Sequence, residues 1–388
     1  MYILLISRGI PSVKDPQWGC FEFDQAKALK KLGHKVVVIS VDVRFRFYYR
    51  KIGITYFCKE GIDCFNNFLL PEKIVSLFCG RYLSEKIRKK QYEKMYKIVV
   101  AQFGKPDIIY SHYLPISFFS NDLSLKYHIP QIAIEHWSAL KTRINDSYVQ
   151  YLAKRTYCNV SKVIAVSESL RQIIFENFGV DSIVVNNMVS DDFFYKQDNK
   201  CCNDGKIRFV SIGSLIKIKG YDILLSALSK VIGVYNNWEL LIVGDGEEKY
   251  NLQKQINKLS LVNNVFLVGK KTKKEIVDIF LNSDLFILAS RSETFGVVYI
   301  EAMMMGLPVI ATACGGPEEF VQKTDGLVIL IEDEDALVNA ILYMFKNYQL
   351  YDRVDIMENC KKRFSSSVIA QKLTLIFEDV VKTYKIKK

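Results

Sequence analysis

The sequence predicts an α/β protein made of two doubly wound domains, and three observations support this fold class. A chain of 388 residues is too long for one compact core and suits two domains. The apolar share of 49% indicates a globular fold throughout. Short apolar runs, typical of strands buried on both faces of a parallel sheet, alternate with helical patterns that end at glycine.

The first domain begins with a strand, a helix and a second strand. Residues 1–7 and 35–41 are apolar and strand-like, and the helical pattern at 21–32 between them is closed by Gly33. Because Arg8 interrupts the first run and no basic leader precedes it, we interpret that run as a strand and not as a signal peptide. No run approaches the ~20 apolar residues that cross a bilayer.

Two histidines follow strand-like runs further along this domain. The runs at 105–111 and 129–135 lead into His112 and His136, so we expect both side chains at carboxyl ends of strands, facing a cleft. A hydrogen-bonded core position is the alternative for each, and for His112 it is as consistent with the sequence as the cleft. Neither histidine lies at metal-ligand spacing from a cysteine or another histidine.

The net charge of +11 comes entirely from residues 1–190, which contain 27 Lys and Arg against 16 Asp and Glu. Two basic patches stand out, at 44–51 and at 81–97. The second patch contains Arg81, Lys86, Arg88, Lys89, Lys90, Lys94 and Lys97. Such patches suit anionic lipid or nucleic acid, and a solvated helix face is the alternative. Because no nucleic-acid reader motif is present, we do not expect nucleic acid as a partner.

The cysteines indicate a reducing compartment. Nine of them are scattered along the chain without CxxC pairs or histidine partners at zinc spacing. Reduced thiols in a cytoplasmic protein are the natural interpretation.

The most informative stretch, residues 283–303, lies in the predicted second domain. An apolar strand at 285–288 passes through a polar turn at 290–296 into a helix. Glu293 therefore lies at the carboxyl end of the strand, and Glu301 lies about one turn inside the helix. Ligands of α/β sheets bind at that edge, where the helix amino terminus attracts phosphate. Because a carboxylate there must bind hydroxyls to be tolerated, the pattern favours a nucleotide sugar.

This stretch resembles the C-terminal signature of glycosyltransferase family four. The resemblance rests on Glu293 and Glu301 with Phe295-Gly296 between them, and on the segments 306–312 and 315–319 after them. An ordinary α/β crossover with solvated glutamates is the alternative. Members of the family are retaining, nucleotide-sugar-dependent enzymes of the GT-B fold, in which two Rossmann-like domains face each other across a cleft.

The resemblance implies a division of the chain. Residues 1–190 would form the acceptor-binding domain and 207–365 the nucleotide-sugar-binding domain. The polar stretch 191–206 would link them. Residues 366–388 would form a helix that returns to the first domain. Residues 42–104 match nothing in the family pattern, and we interpret them as a variable insertion that faces the acceptor.

The resemblance also implies roles for individual residues. Glu301 would bind ribose hydroxyls and Glu293 donor-sugar hydroxyls, and Lys219 with the Phe295-Gly296 backbone would hold the diphosphate. The implied catalytic residues are His136, Glu293 and Lys219. The implied donor-binding residues are Gly213, Ser214, Lys219, Gly269, Lys270, Glu293, Phe295, Gly296 and Glu301, and Gly19 and His112 belong to the acceptor or phosphate loop.

Two positions depart from the family pattern. Ser214 stands where members commonly have arginine, whose planar fork of donors serine cannot replace, and we hypothesise that Lys217 substitutes for it. Gly19 is the one match to a glycine-rich loop, with Cys20 at the place of a second glycine.

These features together predict a retaining glycosyltransferase that moves a hexose-type sugar to a saccharide acceptor, expected to be lipid-linked, in bacterial surface polysaccharide synthesis. The enzyme would be cytoplasmic and peripheral on the anionic inner face of the cell membrane. No metal or other cofactor is expected, because the resemblance implies that basic side chains and a helix dipole take the place of a divalent ion. The run 333–335 formally fits the Asp-x-Asp motif of metal-dependent transferases, but it begins a helical pattern and is interpreted as an acidic helix start. The alternatives are a sugar-nucleotide epimerase of the same fold and a non-catalytic nucleotide-sugar-binding subunit.

Overall fold

The structure, a computed structural model, describes residues 1–45, 50–194 and 205–386. The chain divides into two compact units, the first comprising Met1–Asn186 with Ser366–Lys388 and the second Asn187–Ser365. Of the predicted linker, residues 195–204 lie outside the described part, as do residues 46–49 of the first basic patch.

The described residues of the first unit form one eight-stranded sheet. Its strands are β1 (Tyr2–Ser7), β2 (Lys35–Asp42), β3 (Gly53–Lys59), β4 (Ile62–Phe68), β5 (Ile108–His112), β6 (Gln131–Glu135), β7 (Lys162–Ala165) and β8 (Ile183–Val184). They lie in the order β3-β4-β2-β1-β5-β6-β7-β8. All neighbours are parallel except β3, which runs antiparallel to β4. The central strands β1, β5 and β6 are buried along their whole length, as their continuous apolar runs predict.

Helices connect the parallel strands of this unit. They are α1 (Cys20–Lys31), α2 (Glu72–Phe103), α3 (Leu114–Tyr127), α4 (Ala139–Thr142), α5 (Ser147–Tyr157) and α6 (Glu168–Phe178). The long helix α2 is interrupted at Gly80, whose φ of 71° and ψ of 160° are not helical. Beyond this kink α2 packs on α3 and buries Tyr92, Met95 and Val99.

The second unit contains a six-stranded sheet in its described residues. The strands are β9 (Ile207–Ile212), β10 (Trp238–Val243), β11 (Val265–Gly269), β12 (Leu285–Ile287), β13 (Val309–Thr312) and β14 (Gly326–Ile329). All neighbours are parallel, in the order β11-β10-β9-β12-β13-β14. The sheet is covered by α7 (Tyr221–Val231), α8 (Lys249–Lys258), α9 (Lys273–Leu281), α10 (Val297–Met304), α11 (Glu334–Asn347) and α12 (Arg353–Phe364).

The last helix, α13 (Ser366–Ile386), groups with the first unit and packs on α1. Its Thr374 Oγ1 lies 2.9 Å from His34 Nε2, and its Phe377 ring lies 4.8 Å from the Tyr110 ring. The predicted α/β class, with two mainly parallel sheets and a final helix that returns to the first unit, is therefore confirmed.

The strand order fixes one crevice in each sheet. In an open parallel sheet ligands bind beyond the carboxyl ends of two adjacent strands whose connections leave in opposite directions. In the first unit those strands are β1 and β5, and in the second they are β9 and β12. The loops after these four strands are therefore the places to look for a site.

Candidate active site

An ion pair occupies the crevice of the second unit. Lys219, in the short 3₁₀ turn after β9, places its Nζ 2.6 Å from Oε1 of Glu293, which lies in the loop after β12. The hydroxyl of Ser290 donates to the same carboxylate oxygen at 2.8 Å. The side chains of Lys219 and Glu293 are 19% and 11% exposed, so a ligand in the crevice can contact both. Sequence reasoning placed these two residues at one edge but did not identify Ser290.

Gly220 allows the Lys219 turn to approach β12 closely. Its φ is +65°, and a Cβ built there would lie 1.8 Å from the carbonyl oxygen of Ala289. A side chain at this position would therefore push the turn away from the loop after β12. The glycine is what brings Lys219 within reach of Glu293.

The amino terminus of α10 lies beside this pair. Phe295 is buried, and Gly296 begins the helix in the left-handed region with a φ of 92° and no side chain to accept a bond from the first turn. The Tyr299 N–H donates to the Gly296 carbonyl at 3.1 Å, whereas the N–H groups of Val297 and Val298 can donate to an anion, and the helix dipole favours negative charge there. Glu301 is half-buried one turn further along.

Glu318, part of the recognised signature, has a structural position. Its carboxylate accepts from the N–H groups of Cys314, Gly315 and Gly316 at 3.1, 2.6 and 3.0 Å. A Cβ on Gly316 would lie 2.5 Å from the carbonyl oxygen of Phe295. The carboxylate therefore holds the loop against which Phe295 packs, and it contributes to the geometry of α10.

Arg291 fastens the loops after β9 and β12 to each other, a role that sequence reasoning missed. Its guanidinium donates to both carboxylate oxygens of Asp222, at 2.8 and 2.9 Å, and also contacts Glu332. Its backbone N–H donates to the carbonyl of Ile218 at 2.8 Å. The hydrogen bonds to Asp222 hold the pKa of Arg291 above its ordinary value.

The remaining predicted donor residues lie around the same sheet edge. Gly213 follows β9, and the Tyr221 hydroxyl donates to its carbonyl at 3.4 Å. Ser214 and Lys217 are both exposed, so the substitution of Lys217 for the family arginine stays a hypothesis. Gly269 ends β11, where its carbonyl accepts from the Gly244 N–H at 3.0 Å, and the following Lys270 is exposed.

The two predicted histidines of the first unit form a pair. His112 Nδ1 lies 3.2 Å from His136 Nε2, and their rings are parallel with centroids 5.4 Å apart. His112 is fully buried, whereas His136 is half-buried. Burial lowers the pKa of His112 well below its ordinary value, and the neighbouring His136 contributes to the same shift. His112 is thus buried within the first unit, as its core alternative describes, and its Nδ1 faces the half-buried His136.

The loop after β1 is built around a buried ion pair. Arg8 Nε lies 3.0 Å from Oε1 of the fully buried Glu22, and the Trp18 indole N–H donates to the Arg8 carbonyl at 2.9 Å. Gly19 has a φ of +80°, and a Cβ there would lie 2.0 Å from the carbonyl oxygen of Gly9. Gly19 therefore permits a close backbone approach in this loop.

A cavity of about 420 Å³ opens between this loop and the ends of β2, β3 and β4. The Arg44 guanidinium lies 3.2 Å from the Trp18 ring centroid and donates to Asp42 at 2.7 Å. Lys59 donates to the Pro11 carbonyl at 2.6 Å, and burial lowers its pKa. Charged groups around an aromatic floor suit a polar ligand with hydroxyl or anionic groups.

Within the described residues, no group of three or more His, Cys, Asp and Glu side chains is placed to hold a metal ion. The Asp-x-Asp run begins α11 as predicted, since Asp333 accepts from the Ala336 N–H at 2.8 Å and caps the helix. The run therefore has a structural explanation.

Comparisons with known proteins show the class of protein and its fold. The family model described as Glycosyltransferase Family 4 matches residues 23–193, and the model described as Glycosyl transferases group 1 matches residues 196–363. A glycosyltransferase of Methanocaldococcus jannaschii is 29% identical over 71% of this chain and 76% of its own length. A Bacillus subtilis protein named as a teichuronic acid biosynthesis glycosyltransferase is 26% identical over 99% of this chain and all of its own. Among solved structures, Anabaena HepE in complex with UDP and glucose superposes with a TM-score of 0.73 at 18% identity, covering 98% of this chain and all of that one.

Proposed function

Because the chain is a glycosyltransferase of the GT-B fold and the family four type, we propose that it moves a hexose-type sugar from a nucleoside-diphosphate sugar to a saccharide acceptor with retention of configuration. The observation that carries this proposal is the Lys219–Glu293 pair in the crevice of the second unit. A cation for phosphate and a carboxylate for hydroxyls, side by side, are what a nucleotide sugar requires.

Each donor contact follows from the chemistry of its residue. The Lys219 ammonium and the N–H groups at the start of α10 neutralise the diphosphate, and the charge on it grows as the bond to the sugar breaks. Glu293 accepts hydrogen bonds from sugar hydroxyls, and Glu301 accepts them from the ribose. His136 contacts the donor sugar, as the family resemblance implies, and His112 fixes which of its ring nitrogens carries the proton.

Retention follows if the acceptor attacks from the face that the diphosphate leaves. The bond from the anomeric carbon to the phosphate oxygen breaks, and the bond to the acceptor oxygen forms on the same face. The acceptor proton passes to the departing phosphate oxygen, so that no protein nucleophile is needed. No step requires a divalent ion, since Lys219 and the helix dipole supply the positive charge.

The acceptor is proposed to bind the first unit, and the cavity beside Trp18 is the candidate subsite. Its volume of about 420 Å³ is in the range of small-molecule sites. Anabaena HepE binds UDP and glucose in its crystal structure, and the Bacillus subtilis relative is named for teichuronic acid biosynthesis, so both support a saccharide product. The basic first half of the chain favours a lipid-linked acceptor on an anionic membrane.

Thermal stabilisation by a panel of UDP, GDP, ADP and their sugars tests the donor site. A ligand at about 100 times its dissociation constant should add ~2.7 kcal/mol to the free energy of unfolding. We expect one nucleotide series to stabilise the protein, and Glu301→Ala to lose that effect. Glu358→Ala, which removes an exposed carboxylate of α12, is the control and should keep it. The absence of stabilisation by every nucleotide would contradict the proposal.

The anomeric configuration of the product tests retention. With the donor identified, proton NMR of a disaccharide product distinguishes α from β linkage. An inverted product would refute the proposed course of the reaction and would leave the donor site intact.

A further inference from the structure

Large apolar side chains are exposed together in one segment of the first unit. Leu77 and Phe78 are each 81% exposed and Tyr82 is 79% exposed. The segment from Leu70 to Leu83, which we name the apolar ridge, also exposes Leu70, Ile74 and Leu83. Single exposed apolar residues are ordinary, but six within fourteen positions form a patch of the kind that marks an interaction site.

The backbone of the ridge presents these side chains on a separate helical segment. Ile74, Leu77 and Phe78 are spaced by three and four residues and so share one helix face. At Gly80 the backbone leaves the helical conformation, and only further along does the helix bury apolar side chains, among them Tyr92 and Met95, against the first unit. The ridge is therefore held to the first unit at both ends, by the helix beyond Gly80 and by the Glu72 N–H, which donates to the Val43 carbonyl at 2.9 Å, while its apolar face is exposed.

The charges on the ridge and the turn after it are basic. Lys73, Lys86 and Lys90 are exposed. The two carboxylates of this stretch are neutralised or hidden, since Glu72 accepts from the Arg88 guanidinium at 3.0 Å and Glu85 is 8% exposed. Apolar side chains flanked by ammonium groups complement an anionic lipid surface, where phosphates and acyl chains lie a few ångströms apart.

We propose that the apolar ridge inserts into the interface of an anionic bilayer. Leu77 and Phe78 enter the boundary between headgroups and acyl chains, Tyr82 lies at headgroup level, and the lysines contact lipid phosphates. The ridge thereby holds the first unit at the membrane, and its relevance to catalysis rests on the proposed lipid-linked acceptor. An apolar helix face flanked by lysines lies in the plane of the membrane interface. In the described residues no helix is long and apolar enough to span a membrane.

The test compares two vesicle compositions, pure phosphatidylcholine and phosphatidylcholine with about 30 mol% phosphatidylglycerol. We expect the full chain to float with the anionic vesicles. The double change Leu77→Ser and Phe78→Ser should weaken binding about 100-fold, or about tenfold per side chain, at both low and high salt. Lys86→Gln with Lys90→Gln should weaken it about tenfold at low salt and little at high salt.

Leu350→Ser is the matched control, because Leu350 is 77% exposed in the second unit, and its binding should equal that of the unchanged protein. Phe78→Trp should gain fluorescence that brominated acyl chains quench. Unchanged binding by the Leu77 and Phe78 variant, or indole fluorescence of the Phe78→Trp variant that brominated lipid leaves intact, overturns the proposal. A variant that binds vesicles normally but loses self-association would instead assign the ridge to a contact between copies of the chain.

Donor turnover without vesicles separates this inference from the proposed function. The ridge variants should release nucleoside diphosphate from the donor at the rate of the unchanged protein, because the ridge contains none of the proposed catalytic or donor-binding residues. If the unchanged protein has no donor turnover but still inserts, the proposed function fails and the ridge inference stands.

Discussion

Replacing Lys219 with methionine is the sharpest test of the donor site. Methionine keeps most of the side-chain length and removes the ammonium, whose Nζ lies 2.6 Å from Glu293 Oε1. If that ammonium stabilises the diphosphate in the transition state, kcat should fall by about 10²–10³, which corresponds to about 2.7–4 kcal/mol. Glu293 would retain the Ser290 hydroxyl as a partner, so the free energy of unfolding should fall by only about 1–3 kcal/mol.

The assay is release of nucleoside diphosphate from the donor that the thermal panel identifies, with and without acceptor. Lys230→Met is the matched control, because Lys230 also contacts two carboxylates, Glu334 at 2.9 Å and Asp335 at 3.1 Å, but lies on α7 with its side chain half exposed. Its kcat should stay within about twofold of the unchanged protein. A folded Lys219→Met protein with kcat within about threefold of the unchanged one would refute the proposed role of the ammonium.

Three further predictions concern stability and metals. Gly220→Ala should lower the free energy of unfolding by about 3 kcal/mol or more in urea melts, since its Cβ would meet the Ala289 carbonyl at 1.8 Å, whereas Gly233→Ala has open space and should change it by less than about 1 kcal/mol. Burial raises the pKa of Glu135 well above its ordinary value. The contribution of this carboxyl to the free energy of unfolding is therefore fully present below its pKa in the unfolded chain, and it is lost as pH rises through its pKa in the folded protein. Glu135→Gln should therefore gain more stability at pH ~8 than at pH ~5 in the same melts, and an equal gain at both would contradict the account. EDTA should leave activity unchanged, and strict dependence on a divalent ion would exclude the metal-free chemistry.

The fold could be predicted where burial on both faces leaves a continuous apolar run. β1, β5 and β6 are such strands, and their positions in the sequence were evident. β3 could not be recognised in the same way, because it is an edge strand that is half-buried or exposed along its length. The apolar ridge lies within residues 42–104, where the sequence matched no family pattern, and the exposure of its leucines and phenylalanine is evident only in the structure.

The family resemblance grouped Lys219 and Glu293 at one donor site, but the pattern of the residues alone predicts only which strand end each side chain follows. Sequence reasoning placed Lys219 and Glu293 at carboxyl ends of strands, but 74 positions separate them and nothing in the sequence states that β9 and β12 are neighbours. The His112–His136 contact could not be predicted for the same reason, since it depends on β5 lying beside β6. The hydrogen bonds from Arg291 to Asp222 could not be predicted either, because they also depend on which strands are neighbours.

The Lys219–Glu293 pair has a consequence for how the proposed site selects its ligand. A free sugar can satisfy Glu293, but it offers no anion to Lys219. A free nucleoside diphosphate attracts Lys219, but its charge then lies near a carboxylate that is 11% exposed and repels it. A complete nucleotide sugar supplies hydroxyls to Glu293 and phosphate oxygens to Lys219 at once, so neither charge loses a partner when the other gains one. The repulsion between Glu293 and a free diphosphate therefore helps the site to select a nucleotide sugar over a nucleoside diphosphate. The same repulsion would favour release of the product nucleotide once the sugar has left.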